Sequence, residues 1–321
     1  MRRIFALFGI AATLGISGVA SAARDVPGAL PRLESSSVIV VDQEQGQAIY
    51  AKNTLAVQPI ASITKLMTAV VVLDARLPLD EQLDVSNEDL DFIKGTHSRL
   101  GVGTVLTRGE MLKLALMASE NRAASALARH YPGGFPAFVA AMNRKARELG
   151  MQDTRFVDST GLNPDNVSTA QDLVKLVQAG YQYPVIREFT TSSSHLVAVD
   201  SGARNRFLAF NNSNGLVRAG HWDIGLSKTG YISEAGRCLV MQARIAAKPV
   251  IIVLLDSWGK FSRMADANRI KSWIEMEMGV REPPRIRTVA VRHAPRHSVR
   301  ASKMIRVRGE GRTVRARTRR M

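Results

Sequence analysis

A chain of 321 residues, 45% of them apolar and 22% charged, has enough material for a packed core, which excludes a disordered or low-complexity protein. A single cysteine, Cys238, excludes an intramolecular disulfide, so the fold stands on its core alone. The formal charge of +16 is uneven: residues 281–321 carry 14 Lys/Arg against Glu282 and Glu310, and with Arg2 and Arg3 set aside about +2 is left for residues 23–280.

Arg2 and Arg3, the almost uncharged run 4–19 and then Ala20-Ser21-Ala22 read as a signal peptide over residues 1–22, cut after Ala22. The run is short for a membrane-spanning helix. Residues 36–41 and 47–52, around a turn at 42–46, predict a hairpin. Residues 60–75 switch to helical periodicity and stop ahead of Pro78. Thr107 with Glu110 forms a capping box that opens a helix through Ala118. Residues 121–130 and 135–149 predict two more helices, split by Pro132-Gly133-Gly134, and Ser168 is expected to cap a helix over 169–180. Residues 223–229, 237–246 and 250–255 predict a three-strand meander, and 264–278 a last helix. Cys238 falls inside an apolar strand, which suits a small core residue better than a nucleophile.

Strands at both ends around a helical middle predict one α+β domain over residues 23–280, with the first hairpin joining the late strands in one sheet. Residues 281–321, rich in Arg and with little apolar periodicity, cannot bury enough surface to order themselves and read as a basic disordered tail.

Three short motifs carry chemistry. In Ser62-Ile63-Thr64-Lys65 the serine and lysine share one face of a helix start. A serine hydroxyl needs a base, and a lysine made neutral by burial or by another cation serves as one. The helix start also turns the Ser62 N–H toward an oxyanion position. The pattern is weak alone, because it recurs at Ser257-Trp258-Gly259-Lys260. Ser119-Glu120-Asn121 lies between two predicted helices, where a hydroxyl can relay a proton and an amide can hold a substrate backbone; a helix cap is the plain reading. Lys228-Thr229-Gly230 ends a predicted strand, offering a fixed cation and a glycine that lets substrate approach the backbone; a strand ending in a turn is the plain reading. The three together, in this order, fit serine acyl transfer without histidine or metal.

With Ala115-Leu116-Met117-Ala118 before the second motif, His130-Tyr131-Pro132-Gly133-Gly134, Thr154-Arg155-Phe156-Val157 and Asn166-Val167-Ser168-Thr169-Ala170, the chain resembles the low-molecular-weight penicillin-binding proteins, serine D,D-peptidases of the cell wall, over about residues 35–277. The resemblance implies a β-lactamase/transpeptidase-like fold, an antiparallel sheet flanked by helices with a mainly helical subdomain. It implies Ser62 as nucleophile, Lys65 as base and Ser119 as proton relay. Lys228 supports the relay, Asn121 and Thr229 hold substrate beside Gly230, and the N–H groups of Ser62 and Tyr231 form the oxyanion hole. No metal and no cofactor are called for. The implied partners are cross-linked peptidoglycan peptides and, as covalent inhibitors, β-lactams, in a Gram-negative periplasm.

Where the carboxypeptidase branch has an arginine in Asn-x-Asn-Gly-Leu, this chain has Ser213 in Asn212-Ser213-Asn214-Gly215-Leu216. The missing clamp for a terminal carboxylate favours endopeptidase over carboxypeptidase action. Arg218 reads as a solvated loop arginine. A β-lactamase is disfavoured, because no Glu-x-x-x-Asn stretch follows the second motif. Asp158 and Asp165 read as turn caps. A wall-binding adaptor stays open through the tail, whose partner would be an anionic wall or membrane surface and not nucleic acid.

Overall fold

The computed structural model describes residues 30–200 and 205–280; the readings made for residues 1–22 and 281–321 lie outside them. After the hairpin β1 (Ser35–Asp42) and β2 (Gln47–Lys52) and the short β3 (Gln58–Pro59), a 3-10 turn over Ala61–Ile63 leads into α1 (Thr64–Asp74). The small strands β4 (Gln82–Asp84) and β5 (Val105–Thr107) precede α2 (Arg108–Met117), α3 (Asn121–Arg129) and α4 (Gly134–Glu148). Next come β6 (Val167–Ser168), α5 (Ala170–Tyr181), α6 (Pro184–Thr191), a second hairpin β7 (Ser194–Asp200) and β8 (Asn205–Asn211), and the short α7 (Gly215–Ala219). The meander β9 (Asp223–Ile232), β10 (Gly236–Ile245) and β11 (Lys248–Ser257) and the closing α8 (Ser262–Glu277) complete the order.

The main sheet runs β2-β1-β11-β10-β9, antiparallel throughout, so the first hairpin joins the late meander as expected. Its central strands read as continuous apolar runs because both faces are covered. Val38, Val40, Leu239, Met241, Ile252 and Leu254 pack under α8 through Ala267, Ile270 and Ile274. The alternate residues Ile39, Val41, Val240, Ile251 and Val253 face the helical block. Cys238 sits in this core, and burial pushes its thiol up to about 11, which leaves it inert as the strand reading expected.

Helix α1 is buried from Thr64 to Val72, so it is the axis of the helical block rather than an amphipathic surface helix. The capping box at Thr107 and Glu110 forms as expected. Two expectations need correction. Residues 60–63 do not belong to the helix, because Ala61 takes a positive φ and the 3-10 turn intervenes. The cap of α5 is Thr169, whose side chain accepts from Asp172 N–H, while Ser168 pairs in β6 with Gln58. Between the helix at 169–180 and the late meander, α6 and the β7–β8 hairpin add elements that no sequence pattern marks. That hairpin delivers Asn212 and Ser213 to the edge of β9.

Candidate active site

The turn that carries Ser62 is clasped from two sides. Gly161 lies so close that a Cβ on it would sit 1.9 Å from Ala61 O. A Cβ on Gly230 would sit 2.9 Å from Ile60 O and 3.1 Å from Ser62 N. The missing Cβ at Gly230 thus makes room for the serine turn, while the residue also lines the cleft. Ile60 N–H donates to Asn166 O and Thr64 Oγ1 to Ala61 O, fixing the turn at both ends. Ala61 and Ser119 hold φ of 48° and 61°, strained backbone that persists only where packing over-determines it.

Lys65 projects from the first turn of α1, fully buried. Its Nζ lies 2.9 Å from Ser62 Oγ, 2.7 Å from Asn121 Oδ1 and 2.6 Å from Thr160 O. As an ammonium its three hydrogens have three acceptors. Deprotonated, it needs a donor, and of the three partners only Ser62 has a hydrogen to give. Burial brings Lys65 down to about 8, against the opposing pull of Asp158, Glu120 and Asp91.

Asp158 caps its turn as expected, and does more. Its carboxylate accepts from the N–H groups of Thr160, Gly161 and Asn163. The loop so held aims Thr160 O at Lys65 and Ser159 O at Thr68 Oγ1 on the next turn of α1. Asp165 instead meets Arg155 at the surface.

Ser119 and Asn121 flank Glu120, which is indeed a helix cap: its side chain accepts from Arg122 N–H. From the sheet side Lys228 Nζ donates to Ser119 Oγ at 2.9 Å and to Thr229 O at 2.8 Å. Burial, then Lys65 and Arg263, holds Lys228 well below the usual lysine range. Asn121 Nδ2 donates to Thr96 Oγ1, and Thr229 Oγ1 donates to Ser213 Oγ at 2.7 Å. Gly230 O accepts from Arg263 Nη1, and Tyr231 stands half exposed at the rim.

These groups meet in one cleft of about 490 Å³. Ser62, Ser119, Asn121, Thr229, Gly230 and Tyr231 line it, while Lys65 and Lys228 reach it from beneath. All eight residues singled out in the sequence therefore converge. Sequence reasoning missed Thr160, Lys94, Thr96 and Arg263. Arg263 comes from α8, far along the chain, and no motif marks it; burial brings it down to about 10. Arg218, read as a solvated loop arginine, donates to Asn212 O and braces the Ser213 turn. The second Ser-x-x-Lys forms no such site: Ser257 Oγ is buried against Ser35 Oγ, which donates to Asp266. Among the described residues no three His, Cys, Asp or Glu side chains converge as metal ligands.

The D-alanyl-D-alanine carboxypeptidase family model matches residues 23–259. The chain belongs to this family. Among its relatives, the D-alanyl-D-alanine endopeptidase of Escherichia coli K12 is 46% identical over 273 residues, 84% of this chain and 87% of that one. The D-alanyl-D-alanine endopeptidase of Pseudomonas aeruginosa is 46% identical over 276 residues, 85% of this chain and 88% of that one. Among solved structures, penicillin-binding protein D2 of Listeria monocytogenes in its ampicillin-bound form superposes with a TM-score of 0.64 at 30% identity, covering 77% of this chain and 98% of that one. The fold of this family member is the β-lactamase/transpeptidase-like fold.

Proposed function

We propose that this protein is a peptidoglycan D-alanyl-D-alanine endopeptidase, which cuts the amide joining D-Ala to a diamino acid in a cross-link. The two 46%-identical relatives named as endopeptidases support the reaction. The observation that carries the chemistry is that Ser62 is the one partner of Lys65 able to donate a proton.

Ser62 Oγ attacks the D-Ala carbonyl carbon as its proton passes to Lys65 Nζ. The N–H groups of Ser62 and Tyr231 meet the charge that develops on the carbonyl oxygen. The C–N bond breaks, and the proton reaches the leaving amine through Ser119, whose Oγ is held by Lys228. Asn121 and Thr229 hold the substrate backbone. Water attacks the ester on Ser62, Oγ recovers a proton, and the net reaction is hydrolysis. A β-lactam acylates Ser62 by ring opening and leaves slowly.

One observation favours a second reading, release of terminal D-Ala by carboxypeptidase action. Arg263 lines the cleft and has no carboxylate partner among the described residues, so it is a cation available to a terminal carboxylate. Incubation with cross-linked muropeptide dimers and with monomeric pentapeptide, with Ser62→Ala as control, separates the two. Loss of dimers with little D-Ala released from monomer is the expected result. Release from monomer with dimers intact would make the enzyme a carboxypeptidase.

Export through removal of residues 1–22 and work in a Gram-negative periplasm belong to the same proposal. Attachment of the +12 segment 281–321 to an anionic wall or lipid surface belongs to it too. If deletion of that segment, and not Ser62→Ala, abolished function in cells, an adaptor role would replace catalysis.

A further inference from the structure

Three aromatic side chains stand in water at the end of the main sheet where Tyr231 lines the cleft, and the chemistry above uses none of their rings. Trp258 is 86% exposed, Phe261 71% and Tyr231 55%. Such large apolar groups are rarely left in solvent together without a partner. The sheet register puts them at one end of the main sheet. Tyr231 pairs with Arg237 across β9–β10, and Arg237 pairs with Ser257 across β10–β11, immediately before Trp258. Phe261 follows in the link to α8. Arg263, two residues on, is fastened to Gly230 O and Cys238 O, so this link is tied to the cleft wall.

Two cations lie over the rings: Arg237 at 4.4 Å from the Tyr231 centroid and Lys260 at 5.4 Å from that of Phe261. They leave each ring a second face. The cleft lining follows β9 from Thr229 to Ile232 and on to Ser233, so a substrate laid along β9 emerges where Tyr231 stands.

We infer that Tyr231, Trp258 and Phe261, with Arg237 and Lys260, form a platform for the saccharide chain that carries the substrate's peptide. The inference rests on the proposed peptidoglycan substrate, whose peptides hang from sugars. Sugar rings offer flat C–H faces to aromatic rings, and their hydroxyl and acetamido groups accept hydrogen bonds from Arg and Lys. A membrane would also meet exposed rings, but Tyr231 stands where a peptide laid along β9 leaves the cleft, which brings the chain that carries the peptide to this patch. The unused motif Ser257-Trp258-Gly259-Lys260 thereby acquires a role as two contact residues behind a buried serine.

The test uses the full chain carrying Ser62→Ala, with and without Trp258→Ala plus Phe261→Ala, and peptide-free glycan strands followed by tryptophan fluorescence and calorimetry. Both substituted side chains are solvent-exposed, and penicillin acylation in the Ser62 background reports on the integrity of the fold and site. Saturable glycan binding weakened about tenfold, or about 1.4 kcal/mol, by the double substitution is expected. KM for glycan-bearing dimers should rise by a similar factor, with penicillin acylation unchanged. No saturable binding to the unsubstituted platform, or binding that ignores the substitution, would overturn the inference. So would loss of binding to phosphatidylglycerol vesicles with glycan binding intact, which would make the patch a lipid contact. If glycan binds through these rings but no cross-link is cut, the platform stands and the proposed reaction falls.

Discussion

Lys65 Nζ and Thr160 O lie 2.6 Å apart, which ties the lysine to a carbonyl that accepts and never donates. With Asn121 Oδ1 on another side, the lone pair of neutral Lys65 is left to Ser62. Lysine at about 8 is then partly neutral at physiological pH. Acylation by penicillin should rise with pH through about 8 and level off above it, measured as second-order rate against pH. Lys65→Met should lower it by about 10²–10⁴-fold. A pH-independent rate would remove Lys65 from the role of base. Because Lys65 falls from its ordinary 10.5 to about 8 on folding, the folded chain binds fewer protons than the unfolded chain between those values. That contribution to stability therefore grows as pH rises across the window. In Lys65→Met this part of the pH dependence should vanish in denaturant titrations.

Gly161 has φ +79°, and a methyl group there would overlap Ala61 O at 1.9 Å. Gly161→Ala should cost about 3 kcal/mol from strained backbone and overpacking together. It should also slow acylation by displacing the Ser62 turn. Gly230→Ala meets its neighbours at 2.9–3.1 Å, so it should destabilise less while still slowing acylation. Thermal unfolding and penicillin acylation of both variants would check this. A Gly161→Ala protein with unchanged Tm would deny the clasp.

The sheet and the catalytic motifs were legible because each obeys a local rule. Strands covered on both faces show as unbroken apolar runs, and Ser62 and Lys65 share a helix face by spacing alone. What was not legible depends on distant segments. Asp158 looked like a turn cap and is one, but that its turn supplies Thr160 O to Lys65 follows from packing across 95 residues. Arg263 looked like any helix arginine until α8 docked on the sheet and brought its guanidinium to Gly230 O. The β7–β8 hairpin escaped because both its faces are apolar: Val197 and Phe210 are buried while Leu196 and Phe207 stand exposed, so no clean alternation marks it.

Lys94 and Glu234 meet at 2.5 Å across the mouth of the cleft, between the 91–96 loop and the β9–β10 turn. The loop is held by Asp91, which accepts from the N–H groups of Ile93, Lys94 and Thr96. The ion pair is thus the removable part of the roof. Lys94→Met or Glu234→Gln should speed cleavage of bulky cross-linked dimers and leave penicillin acylation unchanged. In the unsubstituted enzyme, dimer cleavage should rise with added salt, which weakens a surface pair. Equal effects on both substrates would place the pair outside the access route.

Ser213 Oγ accepts from Thr229 Oγ1, with its own N–H bound to Met117 O, so the side chain at 213 faces the substrate-binding strand from a fixed backbone. A serine there offers no charge to a carboxylate. An arginine at this place would bring a guanidinium beside Thr229, where planar two-pronged binding of a terminal carboxylate becomes available. Ser213→Arg should therefore raise D-Ala release from monomeric pentapeptide relative to cleavage of cross-linked dimers, read as the ratio of the two kcat/KM values. Arg263 already lines the same cleft, so the gain tests whether one cation suffices. If the ratio does not move, the residue at 213 does not select between the two reactions, and discrimination must lie with Arg263 or with the roof over the cleft.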